Sequence, residues 1–265
     1  MGVTYLNQGA EEFLNSLKPG TFPKIEENDF LNYLIEDAKK YLNNSNTLVY
    51  DNYKISKEYD PSEDYLSKLD SFSKYMVILS IDIVGSTKLS TKLNLLDNAK
   101  IITIFSRAMG AIIHNFNGYV LKYVGDGIIS FFPEPDYNGM HDNALYCAYT
   151  MKKYIIKFLN PLLKEKNLPE LNFRIGINSG EVIKTIVGYN KIKQHFDLIG
   201  KTINIAAKVQ SIPLDNSILL SQNINPLLHN FWKEKLKEIE LSSDWDLKKI
   251  DENKDYKVYI LDALF

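Results

Sequence analysis

Two aspartates lie where their carboxylates could act together on divalent cations. Asp82 is near the end of an apolar, β-branched run, and Asp126 lies in a hairpin signal 44 residues later. In a split βαβ sheet the end of the first strand and the tip of the next hairpin are neighbours. Close carboxylates raise each other's pKa unless a cation neutralises them, and oxygen ligands favour Mg²⁺ or Mn²⁺. The pair predicts a two-cation site; Asp126 as a turn former and Asp82 as a helix cap are the alternatives.

Hydrophobic periodicity predicts the elements that position these aspartates. Residues 76–83 have the pattern of a buried strand, and Val84-Gly-Ser-Thr leads into one long helix that ends near Asn115. Further predicted elements are a hairpin of 119–123 and 128–132 around Asp126-Gly127, a helix over 142–159, a hairpin of 173–178 and 181–187 around Ser179-Gly180, a strand over 195–199, a helix over 202–210, and strands over 218–220 and 256–261. This order predicts an α+β, ferredoxin-like split βαβ fold with helices on one face of the sheet.

The N-terminal part of the chain is more polar than the rest. We expect a mostly helical N-terminal extension over residues 1–72, followed by a catalytic domain over residues 73–265. Helical spacing of apolar residues predicts helices near 11–17 and 29–42. The charged stretch 56–74 is predicted to be a linker or a surface arm.

Composition excludes several classes of protein. The 265 residues carry a net charge of -2, so no basic field of the kind that binds nucleic acid is expected. The single cysteine, Cys147, excludes an intramolecular disulfide and lies among apolar neighbours, which predicts a buried, inert thiol. No apolar run approaches the roughly 20 residues that span a bilayer, and the N-terminus shows neither a secretion signal nor an acylation pattern. We expect a soluble, cytoplasmic protein without membrane contact.

Four segments resemble the catalytic domain of class III nucleotidyl cyclases, the adenylate and guanylate cyclase superfamily. They occur in order between about residues 74 and 262: Ser80-Ile-Asp-Ile-Val-Gly-Ser-Thr, Lys122-Tyr-Val-Gly-Asp-Gly, Arg174-Ile-Gly-Ile-Asn-Ser-Gly-Glu, and Asp197-Leu-Ile-Gly-Lys-Thr-Ile-Asn-Ile-Ala-Ala-Lys. The resemblance implies an enzyme that converts a nucleoside triphosphate to a 3',5'-cyclic nucleotide and pyrophosphate. It also implies a head-to-tail homodimer whose active sites are each built from both chains.

The resemblance assigns the metal and phosphate positions of the first chain. Asp82 and Asp126, helped by the Ile83 carbonyl, would hold two Mn²⁺ or Mg²⁺ ions that activate the ribose 3'-hydroxyl and bind the triphosphate. Backbone N–H groups at the start of the following helix suit phosphate oxygens. The residues that supply them are Gly85, Ser86 and Thr87.

The partner chain would supply the other catalytic groups. Asn204 would orient the ribose, and Lys208 would stabilise charge on the α-phosphate in place of the arginine usual in the family, although lysine lacks the bidentate fork. A further lysine for the β- and γ-phosphates is assigned to Lys249. Lys248 and Lys254 are alternatives, as is an ordinary solvated charged face, because this segment lacks the Lys-Gly signature of the family.

Lys122 and Asp197 occupy the base-reading positions of adenylate cyclases in this resemblance. An aspartate accepts a hydrogen bond from an exocyclic amine, while a lysine donates one to a ring nitrogen. Adenine and cytosine both present that pair of groups, whereas guanine and uracil present a carbonyl and an N–H. The two residues therefore favour adenine or cytosine, and an ordinary surface ion pair is the structural alternative.

The layout, a catalytic domain behind about 70 residues, resembles the compact pyrimidine cyclases of bacterial Pycsar anti-phage defence. This favours cyclic CMP or cyclic UMP as the product, sensed by a separate effector protein, with Tyr75 either narrowing the base pocket or lying in the core. The alternatives are an adenylate cyclase and a non-catalytic cyclase-like regulatory module. A diguanylate cyclase is disfavoured because the hairpin carries Val-Gly-Asp-Gly-Ile instead of Gly-Gly-Asp/Glu-Glu-Phe.

Overall fold

The computed structural model describes residues 27–43, 60–70, 72–133, 139–189, 194–242 and 256–262. The helix predicted near 11–17, and Lys248, Lys249 and Lys254, lie outside the described residues. The helices are α1 (Glu27–Asn43), α2 (Pro61–Ser67), α3 (Ser86–Lys92), α4 (Leu95–Asn115), α5 (Gly139–Tyr154, continued by a π-helical turn over Ile155–Leu159), α6 (Asn160–Glu165), α7 (Lys201–Gln210) and α8 (Asn230–Lys233), with a 3₁₀ turn at Asn225–Leu227. The strands are β1 (Ser73–Ile83), β2 (Tyr119–Val124), β3 (Gly127–Phe132), β4 (Phe173–Val187), β5 (His195–Ile199), β6 (Ser217–Ser221), β7 (Leu236–Ile239) and β8 (Val258–Leu261).

The described strands form one eight-stranded sheet. Its order is β2-β3-β1-β4-β6-β8-β7, and β5 pairs with the far end of β4. β1 lies antiparallel to both β3 and β4, whereas β4 and β6 are parallel. The predicted α+β, split βαβ fold is confirmed. β7 was not predicted, because its sequence Leu-Lys-Glu-Ile contains only two apolar residues.

The hairpin predicted around Ser179-Gly180 is wrong, because β4 is one continuous strand of 15 residues. Every residue of β1 pairs with a residue of β4, and Gly180 of β4 lies opposite Met76 of β1. A Cβ atom at Gly180 would lie 2.7 Å from Oγ1 of Thr202. Glycine is present here because a side chain packs against the strand, and not because the chain turns.

The single long helix predicted after β1 is also wrong, since the segment forms α3 and α4. Leu93 takes an extended conformation (φ -97°, ψ 153°) and ends α3. The side chain of Asn94 then accepts a hydrogen bond from the N–H of Asp97 at 2.9 Å, which caps the N-terminus of α4. The sequence signal for this break was the asparagine followed three residues later by an acidic residue.

Helices cover both faces of the sheet, so the expectation of helices on one face only is wrong. Side chains of β1 alternate between the faces, as in any strand. Val77 and Leu79 contribute to a core shared with α1, α4 and α5. Met76 and Ile78 face the other way, into a second core that contains Leu66 of α2 and Ala206 of α7.

The close approach of α7 to β4 depends on Gly176. A Cβ atom there would lie 2.3 Å from the backbone nitrogen of Gln210 and 2.4 Å from the carbonyl oxygen of Ala206. Because both are backbone atoms, they cannot rotate away. We expect Gly176→Ala to lower the free energy of unfolding by about 1–3 kcal/mol, measured by urea denaturation, while alanine at the exposed Glu181 of the same strand leaves it nearly unchanged. An unchanged unfolding midpoint in Gly176→Ala would contradict this packing.

The described helices of the extension pack against the domain. The helix predicted over 29–42 is confirmed as α1, and the Arg107 guanidinium of α4 donates to both carboxylate oxygens of Asp37 at 2.9 and 3.0 Å. The linker predicted over 56–74 is wrong for its described part, because Asp60 caps α2 and Leu66 is buried. The division of the chain at residue 72 stays a prediction.

Two smaller predictions concern Cys147 and membrane contact. Cys147 is fully buried, and burial raises the pKa of its thiol well above the usual range. The predicted inert, buried thiol is therefore confirmed. Within the described ranges, no helix combines the length and the apolar character that crossing a membrane requires.

Candidate active site

The turn between β2 and β3 carries the second aspartate. Val124 pairs with Gly127, so the two loop residues are Gly125 and Asp126. The sequence placed this turn one residue later, at Asp126-Gly127. Gly125 takes the left-handed conformation (φ +64°) that a tight two-residue hairpin needs, which fixes the turn at the earlier position.

The structure brings Asp82 and Asp126 together at one end of the sheet. Asp82 is the penultimate residue of β1, and its Oδ1 lies 2.9 Å from the point that a Cβ atom on Gly127 would occupy. Burial and, next, the negative charge of Asp126 raise the pKa of Asp82 to about 6. The predicted convergence of the two carboxylates on one spot is therefore present within a single chain.

The chemistry of this pair fits divalent cations with oxygen ligands. Oδ2 of Asp126 is buried and has no hydrogen-bond partner among the described residues. Two adjacent carboxylates with an unsatisfied oxygen are stabilised when a cation replaces the missing partner. Over the same part of the chain, no group of three or more His, Cys, Asp or Glu residues could hold a metal. Any ion at Asp82 and Asp126 would thus take its other ligands from backbone, water or substrate, as Mg²⁺ commonly does.

Arg174 is a residue near the pair to which the sequence analysis gave no role. It lies directly opposite Asp82 in the β1–β4 ladder, and its charge acts to lower the pKa of that aspartate. Its Nε and Nη2 both donate to Oδ1 of Asp215, at 2.9 and 2.7 Å. The available signal was its position at the head of one of the four motif segments, in a chain that has only one other arginine, Arg107.

The predicted phosphate-binding turn follows β1 directly. Ile83 ends the strand, and Gly85 takes the left-handed conformation (φ +70°) that allows the chain to enter α3. Ser86 is half-buried and Thr87 is exposed. Gly85, Ser86 and Thr87 therefore lie three to five positions beyond Asp82 in an accessible turn, and their contact with phosphate stays a prediction.

Lys122 and Asp197 form an ion pair within one chain. Nζ of Lys122 lies 2.6 Å from Oδ2 of Asp197, which joins β2 to β5. The other oxygen, Oδ1, accepts from the N–H of Leu198 at 2.8 Å. The lysine side chain is 37% exposed and the aspartate side chain 12%, so a ligand can reach the pair from the lysine side. Their predicted proximity is present, and their role in reading a base stays a prediction.

The predicted catalytic residues of α7 are not bonded to the carboxylate pair in the part of the chain that the structure describes. Asn204 and Lys208 are four residues apart on α7 and therefore lie on the same face of it. Asn204 is exposed and Lys208 half-buried. Among the described residues, neither forms a hydrogen bond or ion pair with Asp82 or Asp126. Within one chain the structure therefore does not join the two halves of the predicted site.

Tyr75 lies in the core and not in an open pocket. Its ring is partly buried against the main core, and its hydroxyl lies 3.1 Å from Oγ of Ser179. This environment supports the core alternative over a role in narrowing the base pocket.

The sequence profile of the adenylate and guanylate cyclase catalytic domain matches residues 71–263. The chain is 31% identical over 163 residues to a cytidylate cyclase of Escherichia coli (57% of this chain, 34% of that protein) and 29% identical over 182 residues to a cytidylate cyclase of Staphylococcus aureus (66% and 43%). It is 27% identical over 143 residues to an adenylate cyclase of Anabaena cylindrica (53% and 28%). The matches thus cover between 28% and 43% of the length of these relatives.

The fold agrees with solved structures of cyclase domains. The adenylyl cyclase CyaB of P. aeruginosa superimposes with a TM-score of 0.62 at 21% identity, covering 74% of this chain and 98% of the other. The guanylate cyclase domain of RhGC from Catenaria anguillulae, solved with GTP, gives 0.60 at 21% identity, covering 74% and 100%. With the profile match extending over most of its length, the chain belongs to the adenylate and guanylate cyclase catalytic domain family, the class III nucleotidyl cyclases.

Proposed function

We propose that this protein is a nucleotidyl cyclase that converts CTP to cyclic CMP and pyrophosphate. The observation that carries the proposal is the pair of converging carboxylates, Asp82 and Asp126, at the end of the first strand in a domain of this family. A non-catalytic module has no need to keep two carboxylates whose mutual repulsion costs free energy in the absence of a cation. The pair therefore supports catalysis over regulation alone.

Each residue of the proposed site has a defined task. Divalent ions bound by Asp82, Asp126 and the Ile83 carbonyl would lower the pKa of the ribose 3'-hydroxyl and neutralise the triphosphate. The backbone of the turn from Gly85 to Thr87 would donate to phosphate oxygens. Lys208 would stabilise the charge that develops on the α-phosphate while the hydroxyl attacks in line and pyrophosphate leaves. The ribose would be oriented by Asn204.

A homodimer is proposed because, among the described residues, Asn204 and Lys208 of α7 make no bond to the carboxylate pair of their own chain. Groups of exposed apolar side chains support this assembly, since such groups are typical of protein interfaces. Ile186 is 60% and Tyr189 91% exposed, at the end of β4. One group is next to the β2–β3 turn and consists of Tyr123 and Val124. The other is in or beside the β4–β5 hairpin and consists of Ile183, Ile186, Val187, Tyr189 and Ile199.

Cytosine is proposed as the base because it fits the Lys122–Asp197 pair and is the base of two relatives. Lys122 and Asp197 are paired in the structure, and together they offer a donor and an acceptor that match a ring nitrogen beside an amine. Two relatives of this chain are cytidylate cyclases. Uracil presents a carbonyl and an N–H instead, so cyclic UMP is less favoured as the product than cyclic CMP. Adenine presents the same pattern as cytosine, so an adenylate cyclase, like the relative from Anabaena cylindrica, is the second candidate.

Incubation of the full chain with Mn²⁺ and each of ATP, GTP, CTP and UTP tests the base. We expect cyclic CMP to be the main product, identified by mass and chromatography. Lys122→Ala should lower kcat/KM for CTP by roughly tenfold or more, because it removes a charged hydrogen-bond donor. Alanine at the exposed Lys88 of α3, which changes the charge equally, should leave the choice of base unaltered. Cyclic AMP as the only product would instead make the protein an adenylate cyclase.

The biological role proposed for the product is a signal in anti-phage defence, acting in the cytoplasm through a separate effector. Two strains are compared, one with the native gene neighbourhood and one that differs from it only by Asp82→Ala. A larger fraction of the first population should survive phage challenge. Equal plating efficiency of phage on the two strains would count against this role while leaving the cyclase activity unaffected.

A further inference from the structure

Helix α2, which precedes the first strand, bridges the two strands that carry the base-reading pair. Oγ of Ser62 donates to the carbonyl oxygen of Val120 in β2 at 2.5 Å. Both carboxylate oxygens of Glu63 accept from the N–H of Phe196 in β5, at 3.0 and 3.2 Å. Two consecutive residues of one short helix thus contact β2 and β5, which are not neighbours in the sheet.

The contact to β2 is made at an irregularity that decides where Lys122 points. Val120 lies opposite Ser130 and Lys122 opposite Ile129, so Leu121 is an extra residue in β2. Residues directly opposite each other in an antiparallel pair lie on the same face of the sheet, and a slip by one residue would turn Lys122 to the other face. The hydroxyl of α2 bonds the carbonyl at the first residue of this bulge, and it therefore stabilises the register that presents the lysine.

The contact to β5 is made one residue before Asp197. The backbone N–H groups on either side of Asp197 are both hydrogen-bonded. That of Phe196 donates to Glu63, and that of Leu198 donates to Oδ1 of Asp197 itself. The other carboxylate oxygen, Oδ2, is thereby oriented toward Nζ of Lys122. Glu63 therefore helps to fix the backbone geometry that orients the Asp197 carboxylate, which is the acceptor of the base-reading pair.

Contacts that involve no ligand hold α2 in place. The ring of Tyr65 packs against that of Tyr119 with centroids 4.8 Å apart. Nζ of Lys184 donates to the Leu66 carbonyl at the C-terminal end of α2, at 3.1 Å. At the other end, the side chain of Asp60 accepts from the first backbone N–H groups of the helix. Helix α2 is thus packed onto the second face of the sheet and can hold β2 and β5 rigidly in place.

We propose that α2 is part of the specificity apparatus, with Ser62 and Glu63 acting as positioning residues that hold Lys122 and Asp197 in the geometry that selects the base. The proposal rests on the proposed cyclase function for its substrate, but the bracing itself is a property of the chain. In this proposal, helix α2, which precedes the first strand, contributes to the choice of substrate.

Alanine at Ser62 or Glu63 in the full chain tests the proposal. We expect the KM for CTP to rise roughly three- to tenfold, as for the loss of one positioning hydrogen bond, with kcat changed by less than about twofold because the carboxylate pair is untouched. The preference for CTP over GTP should fall by a similar factor. Glu63→Gln retains an acceptor for the Phe196 N–H and should recover most of the lost preference.

Matched controls lie on the same helix. Among the described residues, the Asp64 carboxylate pairs only with Lys68, at the surface, and the Ser67 hydroxyl donates only to the Asp64 carbonyl within the helix. Asp64→Ala and Ser67→Ala also remove one carboxylate and one serine hydroxyl, but at positions without a bond to β2 or β5, and they should keep both the KM and the preference. An effect of equal size in these controls would show that α2 acts only through stability and would overturn the proposal.

Two measurements separate this proposal from the proposed function. Amide hydrogen exchange over residues 119–124 and 195–199 should accelerate in the Ser62 and Glu63 alanine variants and not in the controls, whether or not the protein turns over. Calorimetric titration with CTP and GTP measures preference without catalysis. Absence of any product from the wild-type protein would contradict the proposed function, whereas unchanged exchange, or an unchanged preference for CTP, would overturn the role of α2.

Discussion

Replacing Asp82 or Asp126 by alanine should abolish cyclic nucleotide formation, with a loss in kcat on the order of a thousandfold or more. The expected loss is large because each carboxylate would hold the ions that activate the hydroxyl and neutralise the triphosphate. Burial and, next, the negative charge of Asp126 raise the pKa of Asp82 to about 6, which is the environment that a bound cation would relieve. Initial rates with Mn²⁺ and each triphosphate, measured for wild type and both variants, give the result.

A control on folding distinguishes loss of chemistry from loss of structure. Removal of either charge relieves the repulsion between the carboxylates, so the metal-free variants should unfold at a Tm equal to or above that of the wild type. Mn²⁺ should raise the Tm of the wild type and leave that of both variants nearly unchanged. Activity that survives in Asp82→Ala would contradict the proposed metal site, and an equal Mn²⁺ response in all three proteins would place the ions elsewhere.

Mixing Asp82→Ala with Lys208→Ala, each inactive alone, should restore about one quarter of the wild-type activity. In a two-fold symmetric dimer with composite sites, half of the randomly paired dimers are mixed, and each mixed dimer keeps one intact site out of two. The structure motivates this test because α7, which carries Lys208, makes no bond to the carboxylate pair within the described part of one chain. The experiment measures initial rates after co-refolding or subunit exchange at equal concentrations.

A second mixture is the matched control for this prediction. Asp82→Ala with Asp126→Ala should recover no activity, because both aspartates come from the same chain and every site then lacks one of them. Recovery in the first mixture alone would establish sites shared between chains. Failure of the first mixture, with dimers confirmed by size measurement, would show that one chain supplies the whole site.

Local sequence was sufficient to predict the elements that carry chemistry. The apolar run before Asp82 and the Val-Gly-Asp-Gly segment around Asp126 have patterns that few other conformations satisfy, because a β-branched run tends to be buried and a tight turn needs glycine. The turn itself was predicted one residue too late, at Asp126-Gly127 instead of Gly125-Asp126. Knowledge of these two elements and of their order was enough to expect the carboxylates to meet. The helices α1, α5 and α7 also follow from the spacing of their apolar residues.

Errors arose where a local signal had two physical causes. Ser179-Gly180 has the composition of a turn, yet Gly180 lies inside a strand because Thr202 from a distant helix packs against it. The apolar spacing after β1 is helical on both sides of Leu93, and only the extended conformation of that residue divides it. The contact that decides the conformation at Gly180 is not visible in the local residues, whereas the Asn94 cap that divides the helices is a local signal that the apolar spacing outweighed.

The sequence by itself determined the family, the split βαβ order and the residues able to bind ions, since these depend on residue type and on short-range pattern. Only the tertiary structure decided that Lys122 pairs with Asp197, that α2 joins the strands behind them, and that α7 covers the second face of the sheet. These arrangements link segments that are far apart in the chain, such as Glu63 and Phe196, which are 133 residues apart. They depend on register and on the absence of a Cβ atom at Gly176, which are properties of packed neighbours and not of any one stretch of chain.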